Sequence, residues 1–298
     1  MRRWFFLCLL ALAFRMESQT VSLWKDTELH RHHVSLTPFL PQQAPRAAVI
    51  VCPGGSYSWH DMETEGFLVA QWLRQNGIAA FVLKYRVQGV PAYLTHSRLL
   101  FRGRQHPDML EDVQRAIQWV RENDSLYGLS PSVPLGVMGF SAGGHLAMSS
   151  ASYADTDFLA VHGIRHTASL CPDFVVPVYP VVSLSDECCH KRSRRALLGE
   201  RRKRNPVMRD SLSLELHVPA HCPPVFLVNC KDDPVVNYRN SELLDSALTA
   251  RNIPHRYIQY RTGGHGFGAS EHKGTPECRQ WKEAFLQWLN DLLTPRKH

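Results

Sequence analysis

Short apolar runs rich in β-branched residues alternate along the chain with longer segments whose apolar positions recur at helical spacing. This alternation predicts a mostly parallel sheet wrapped by helices on both faces. Residues 47–52 (AAVIVC) form the first clear buried strand, followed by a Pro-Gly-Gly turn and a helix over about 63–76 that Gly77 closes. Residues 79–84 (AAFVLK) are the next strand. After a Pro- and His-containing connection over 87–107, Asp108 opens a helix with Leu110, Val113, Ile117 and Val120 on one face. A strand over 134–139 and a helix over 142–153 follow, then a strand over 174–179 whose pairing Pro177 weakens. The pattern ends with a strand over 225–229, a helix over 238–251, a strand over 255–260 and a terminal helix over 276–293.

Residues 183–219 break this rhythm. Eight Lys or Arg residues lie between Lys191 and Arg204, with only Ala196, Leu197 and Leu198 as an apolar patch. The segment reads as a solvated insertion with one short helix, or as a cap over a site mouth. It also holds much of the basic excess, so a net charge of +7 describes this stretch better than the whole surface and does not imply nucleic acid.

A chain of 298 residues that is 44% apolar is long enough for one large core, so residues 20–298 are expected to form one catalytic domain. Before it, Met1, Arg2 and Arg3 precede an apolar run over 4–14 and then polar residues, the order of a signal peptide over 1–19. Export to the periplasm or outside is expected, the alternative being an uncleaved tether. No later segment is long and apolar enough for a transmembrane helix. Seven of the eight cysteines follow that leader without a CxxC pair or a regular framework. They read mostly as buried small residues or free thiols, with a bridge at Cys188 or Cys189 open. No metal or cofactor is expected.

The sharpest chemical signal is Gly139-Phe140-Ser141-Ala142-Gly143, a GxSxG sequence between a predicted strand and a predicted helix. A nucleophilic serine needs a strained turn there, which small neighbours permit. Beyond the 225–229 strand, Lys231-Asp232-Asp233-Pro234-Val235-Val236 supplies a carboxylate at a strand end. Asp233 is preferred as the acid, although Asp232 satisfies the same spacing; the other would be a turn residue capping the helix near 238. After one more strand, Gly263-Gly264-His265-Gly266-Phe267-Gly268 presents a histidine on a flexible loop, where a general base belongs. The order Ser141, Asp233, His265 is the one expected of a serine hydrolase built on a strand–turn–helix nucleophile. Cys52-Pro53-Gly54-Gly55-Ser56-Tyr57 resembles a glycine loop that donates backbone N–H groups to an oxyanion, with Ala142 donating another.

Other residues have plainer readings. His145, one turn along the serine's helix, is expected to pack or bond locally, and Arg86 to pair with a buried carboxylate such as Asp112. Glu63 and Glu65 suit a helix start. Tyr57, Trp59 and Phe267 could wall a pocket or simply pack.

With CPGGSY at 52–57, LKYR at 83–86, GFSAGGHLA at 139–147, DDPVV at 232–236 and GGHGFG at 263–268, the chain resembles the secreted acetylesterase and acetyl-xylan-esterase-like branch of the α/β-hydrolases from about residue 45 onward. The resemblance implies catalytic roles for Ser141, Asp233 and His265 and an oxyanion hole at Gly54, Gly55 and Ala142. It also implies removal of short acyl groups, acetyl above all, from carbohydrate such as xylan, without a metal. Ser56, where many relatives have a third glycine, and the Arg-rich stretch near 191–204 depart from that pattern. An amidase or peptidase on the same scaffold, or a binding protein using the basic segment, are the alternatives.

Overall fold

A computed structural model describes residues 19–294 apart from positions 30, 32, 90–93 and 95–103; the expected leader over 1–19 lies outside the described residues but for its last position. Eight strands form one sheet in the order β1-β2-β4-β3-β5-β6-β7-β8. They are β1 (Val21–Ser22), β2 (Ser35–Phe39), β3 (Ala47–Cys52), β4 (Ile78–Lys84), β5 (Leu135–Phe140), β6 (Phe174–Val178), β7 (Val225–Cys230) and β8 (His255–Tyr260). From β3 to β8 every pairing is parallel, whereas β2 runs antiparallel to β4 and β1 antiparallel to β2. The chain steps outward from β3 to β4 and then crosses to β5 on the other side. The sheet therefore has its switch point between β3 and β5, where open α/β sheets place ligands at the carboxyl ends of strands.

The parallel strands are apolar almost throughout because both faces are covered. Ala48, Ile50, Phe81, Val137 and Leu227 pack with helices α2 (Asp108–Glu122), α3 (Ala142–Ser152) and α6 (Arg239–Ala250). The alternate residues Val49, Val51, Val82, Phe140 and Phe226 pack with α1 (Leu68–Gln75) and α8 (Trp281–Leu293). A π-helical turn, Met62–Phe67, leads into α1 where an ordinary helix start was expected. The expected terminal helix is broken at Gln280 into α7 (Pro276–Arg279) and α8.

Pro177 lies inside the sheet after all. It pairs opposite Gly139 of β5, and the ladder is interrupted only toward β7, where the Val175 and Tyr179 N–H groups flank it and reach Pro224 and Val228. The missing proline donor faces that side, so one rung is lost and the strand survives.

The 183–219 segment is more ordered than a solvated insertion with one short helix. It contains α4 (Lys191–Arg202), kinked at Gly199, and α5 (Pro206–Asp210). Ala196, Leu197, Leu198, Leu212 and Leu214 are buried in the core shared with α2 and α3. Lys191, Arg192, Arg201 and Arg204 face outward. The seven described cysteines are all unbridged, Cys188 and Cys189 included.

Candidate active site

The site is assembled at the carboxyl edge of the sheet, beside the switch point. Ser141 joins β5 to α3 with φ 55° and ψ −117°, a conformation that costs a non-glycine residue about 1–3 kcal/mol. The surrounding backbones hold it there. A Cβ on Gly139 would lie 1.9 Å from the Gly143 carbonyl oxygen, and one on Gly143 would lie 2.1 Å from that of Cys52. Only glycines let β3, β5 and α3 close on the turn. The Ser141 N–H donates to Val178 and its carbonyl accepts from His145 and Val181.

The structure brings Ser141, His265 and Asp233 into one hydrogen-bonded series. His265 Nε2 is 2.9 Å from Ser141 Oγ, and His265 Nδ1 is 2.6 Å from Asp233 Oδ2. Asp233 Oδ1 accepts from the N–H groups of Val235 and Val236, so both oxygens act as acceptors. An ionised Asp233 then accepts a hydrogen bond from Nδ1–H and leaves Nε2 free to accept from the serine hydroxyl. The side chain of Asp233 is 1% exposed and that of His265 12%, so the imidazole edge alone meets solvent.

Asp232, the alternative acid, does other work. It was expected to cap the helix near 238, but its carboxylate accepts from Gly263 and Gly264 at 3.2 and 2.9 Å and ties down the loop that carries His265. That loop runs through φ 154° at Gly263, 64° at Gly264, 73° at Gly266 and 48° at Gly268, which is why it is glycine-rich. From the other side, Trp281 Nε1 of α8 donates to the Gly268 carbonyl.

The glycine loop after β3 turns back over the serine with positive φ at Gly55, Ser56 and Tyr57. Ser56, at φ 55°, adopts the conformation that a third glycine would take without strain. Of the three expected oxyanion donors, Gly54 is already engaged: its N–H donates to Glu65 Oε2 at 2.7 Å. Ala142 begins α3, so no helix carbonyl reaches its N–H. Among the described residues no hydrogen bond uses the Gly55 N–H.

The rival histidine is fully committed. His145 bonds to Tyr57 Oη at 2.8 Å through Nδ1 and to the Leu212 carbonyl at 2.9 Å through Nε2. Nε2 must carry a proton to donate to a carbonyl, and burial pushes the pKa of the ring down to about 4, which favours the neutral form with Nδ1 accepting from the Tyr57 hydroxyl. Tyr57 and Phe267 are buried packing residues, whereas Trp59 reaches the surface at 36% exposure. Arg86 pairs with Asp112, as the sequence suggested.

Two residues near the triad escape a reading of sequence. Glu65 looks like an ordinary acidic residue at a helix start, yet it is 3% exposed and bonds Gly54 and Tyr179. Tyr179 follows β6 at the same sheet edge, with its ring centroid 4.6 Å from that of His265. Its place at a strand end was the available signal.

The family model BD-FAE matches residues 38–248 of this chain. The chain belongs to the BD-FAE family. It is 30% identical, over 99% of its own length and 56% of the relative's, to an acetylxylan esterase of Xylanibacter ruminicola. It is 34% identical to endo-1,4-beta-xylanase B of Butyrivibrio fibrisolvens, over 74% of this chain and 32% of that one. The chain thus spans about half or less of the length of these two curated relatives. Among solved structures it is similar to an acetyl ester-xyloside bifunctional hydrolase of Caldicellulosiruptor lactoaceticus, with 32% identity, a TM-score of 0.77 and coverage of 92% of this chain and 96% of that chain. The fold of this BD-FAE member is accordingly that of the α/β-hydrolases, as the motifs implied.

Proposed function

We propose that the protein is a serine esterase that removes acetyl or similarly short acyl groups from carbohydrate such as xylan. The observation that carries this reading is the unbroken series Ser141 Oγ, His265, Asp233 at the sheet edge. Ser141 attacks the ester carbonyl while His265 Nε2 takes its proton, and Asp233 stabilises the imidazolium that forms. The tetrahedral oxyanion is held by the N–H groups of Gly55 and Ala142 at the N-terminus of α3. Each such donor lowers the barrier by about 3–4 kcal/mol. Gly54, first grouped with them, is left out because its N–H is taken by Glu65. His265 then protonates the departing sugar alcohol, and water releases the acyl group by the same steps in reverse order.

The choice of ester and sugar rests on the names of the acetylxylan esterase and the acetyl ester-xyloside hydrolase that the chain is similar to. Export, read from the leader, gives such an enzyme access to a polymer outside the cell. Side-by-side assays on aryl acetate, acetylated xylan and short peptides test the reading. We expect turnover of both esters by the wild type and none above background for Ser141→Ala; a preference for peptides, or full aryl acetate hydrolysis by that variant, would overturn it.

A further inference from the structure

We infer that Glu65 is a positioning residue shared by both halves of the hydrolytic machinery, its carboxylate holding the oxyanion loop through Gly54 and the histidine loop through Tyr179. This inference rests on the serine-esterase reading and names a residue that the triad alone does not require.

Glu65 lies in the π-helical turn Met62–Phe67, a departure from regular helix of the kind often found at functional sites. Its two oxygens are divided between two loops. Oε2 accepts from Gly54 N at 2.7 Å, and Oε1 accepts from Tyr179 Oη at 2.9 Å. Tyr179 Oη accepts in turn from Gly268 N at 3.0 Å, three residues beyond His265. A Cβ on Gly54 would lie 2.5 Å from Oε2 and 2.9 Å from the Ser141 Cβ, so a glycine is what allows the carboxylate to come this close to the serine.

The hydrogen-bond pattern fixes the ionised form. A protonated Glu65 would have to give its proton to Tyr179 Oη, which already accepts from Gly268, and the phenol proton would lose its acceptor. Burial raises the pKa of Glu65 and Asp61 adds to that, while His265, Tyr179 and Gly54 act to lower it. Tyr85 also lies within its field, and Lys273 reaches Asp61 and Thr64 on the outer side of the turn. A buried carboxylate with no cation bonded to it is costly to keep. It serves a purpose here if its charge, which His265 feels across the Tyr179 ring 4.6 Å from its own, steadies an imidazolium that exists only during the reaction.

Glu65→Gln keeps the shape, removes the charge and can satisfy only one of the two donors as an acceptor. We expect its kcat on aryl acetate to fall at least 30-fold with KM within threefold of wild type. The acidic limb of its kcat/KM profile should move to lower pH, the direction expected when an anion beside the reacting groups is lost. Glu65→Asp should leave that limb at the wild-type position and recover part of kcat. Tyr179→Phe, which breaks the link to Gly268 and retains the anion, should lower kcat at least fivefold with the limb unmoved. A Glu65→Gln enzyme with wild-type kcat and an unmoved limb overturns the inference, as does equal loss in the Gln and Asp variants with no shift, which marks a purely structural role. Should Glu65→Gln not fold, Tyr179→Phe decides: a fivefold loss at unchanged KM supports the link and wild-type kcat overturns it. A wild type inactive on aryl acetate overturns the esterase reading and this inference together, whereas an active wild type with an unaffected Glu65→Gln overturns this inference alone.

Discussion

Two clusters of buried polar groups sit at the carboxyl edge of the sheet, and they are built on opposite principles. Beyond β4, Arg86 donates to Asp112 through its backbone N–H at 2.7 Å and through Nε at 2.9 Å, to Glu111 through Nη2 at 2.7 Å, and contacts Asp108. Arg31 also binds Glu111, and Trp24 Nε1 donates to Asp112. This network is closed: three carboxylates surround the Arg86 guanidinium and each of them is engaged by it. Beyond β5, β7 and β8, the triad contains one carboxylate, one imidazole and one hydroxyl, and it ends at Ser141 with no further acceptor beyond the histidine. A closed network resists change in charge, whereas a series with an open end can take up and pass on a proton. Burial alone therefore separates neither cluster from the other; the open end at Ser141 is what supports the proposed catalytic role.

Substitutions in each cluster should separate activity from stability, and the largest effects belong to the triad. Ser141→Ala should lower kcat by about 10⁶-fold and Asp233→Asn by about 10⁴-fold, while thermal unfolding stays within a few degrees of wild type. Steady-state kinetics beside calorimetry reads both quantities. The reverse is expected of Arg86→Met, which takes the guanidinium partner from the fully buried Asp112 carboxylate and leaves Glu111 to Arg31 and His162. Chemical unfolding should show a loss of about 3–5 kcal/mol, with kcat of the folded fraction within about threefold. Asp232→Asn lies between the two: its amide oxygen can accept only one of the Gly263 and Gly264 N–H groups with full geometry, so the loop loosens and kcat falls by about 10-fold. Loss of equal size at 232 and 233 would contradict the division of labour between the two acids.

Acid should act on the fold through buried histidines outside the triad. Burial pushes His145, His60, His106 and His190 each down to about 4. The unfolded chain, with ordinary histidines, takes up these protons first, so stability is full above pH ~6.5 and declines down to pH ~4. Glu111 works in the same direction: burial favours its neutral form, but hydrogen bonds from Arg86, Arg31 and His162 outweigh that and lower its pKa. Its contribution is present above the ordinary carboxylate range and is lost as pH falls through its own lower value. Denaturant midpoints measured from pH 7 to 4 should fall steadily, and His145→Gln should flatten the slope by up to about 1.4 kcal/mol per pH unit.

The sequence made the triad legible because its local chemistry is strict: a serine at φ 55° needs Gly139 and Gly143, and a histidine on a turning loop needs Gly263, Gly264, Gly266 and Gly268. Arg86 and Asp112 were legible as a pair because a buried guanidinium demands an acid. What stayed hidden depends on contacts distant in sequence. Asp232 and Asp233 satisfy one spacing, and only the position of the 263–264 turn divides their roles. Glu65 and Tyr179 are 114 residues apart, so nothing local announces their bond. β2 was missed because Ser35–Phe39 alternates between buried and half-buried positions and includes Pro38, too short and mixed to stand out beside the fully buried runs.

Labelling with a fluorophosphonate tests the triad most directly, because only a serine activated by its neighbours reacts at an appreciable rate. Peptide mapping should find the native protein modified at Ser141, with labelling abolished by heat unfolding and strongly reduced in His265→Ala. A native protein that stays unlabelled, or that reacts at a serine other than 141, would contradict a working Ser141–His265–Asp233 series.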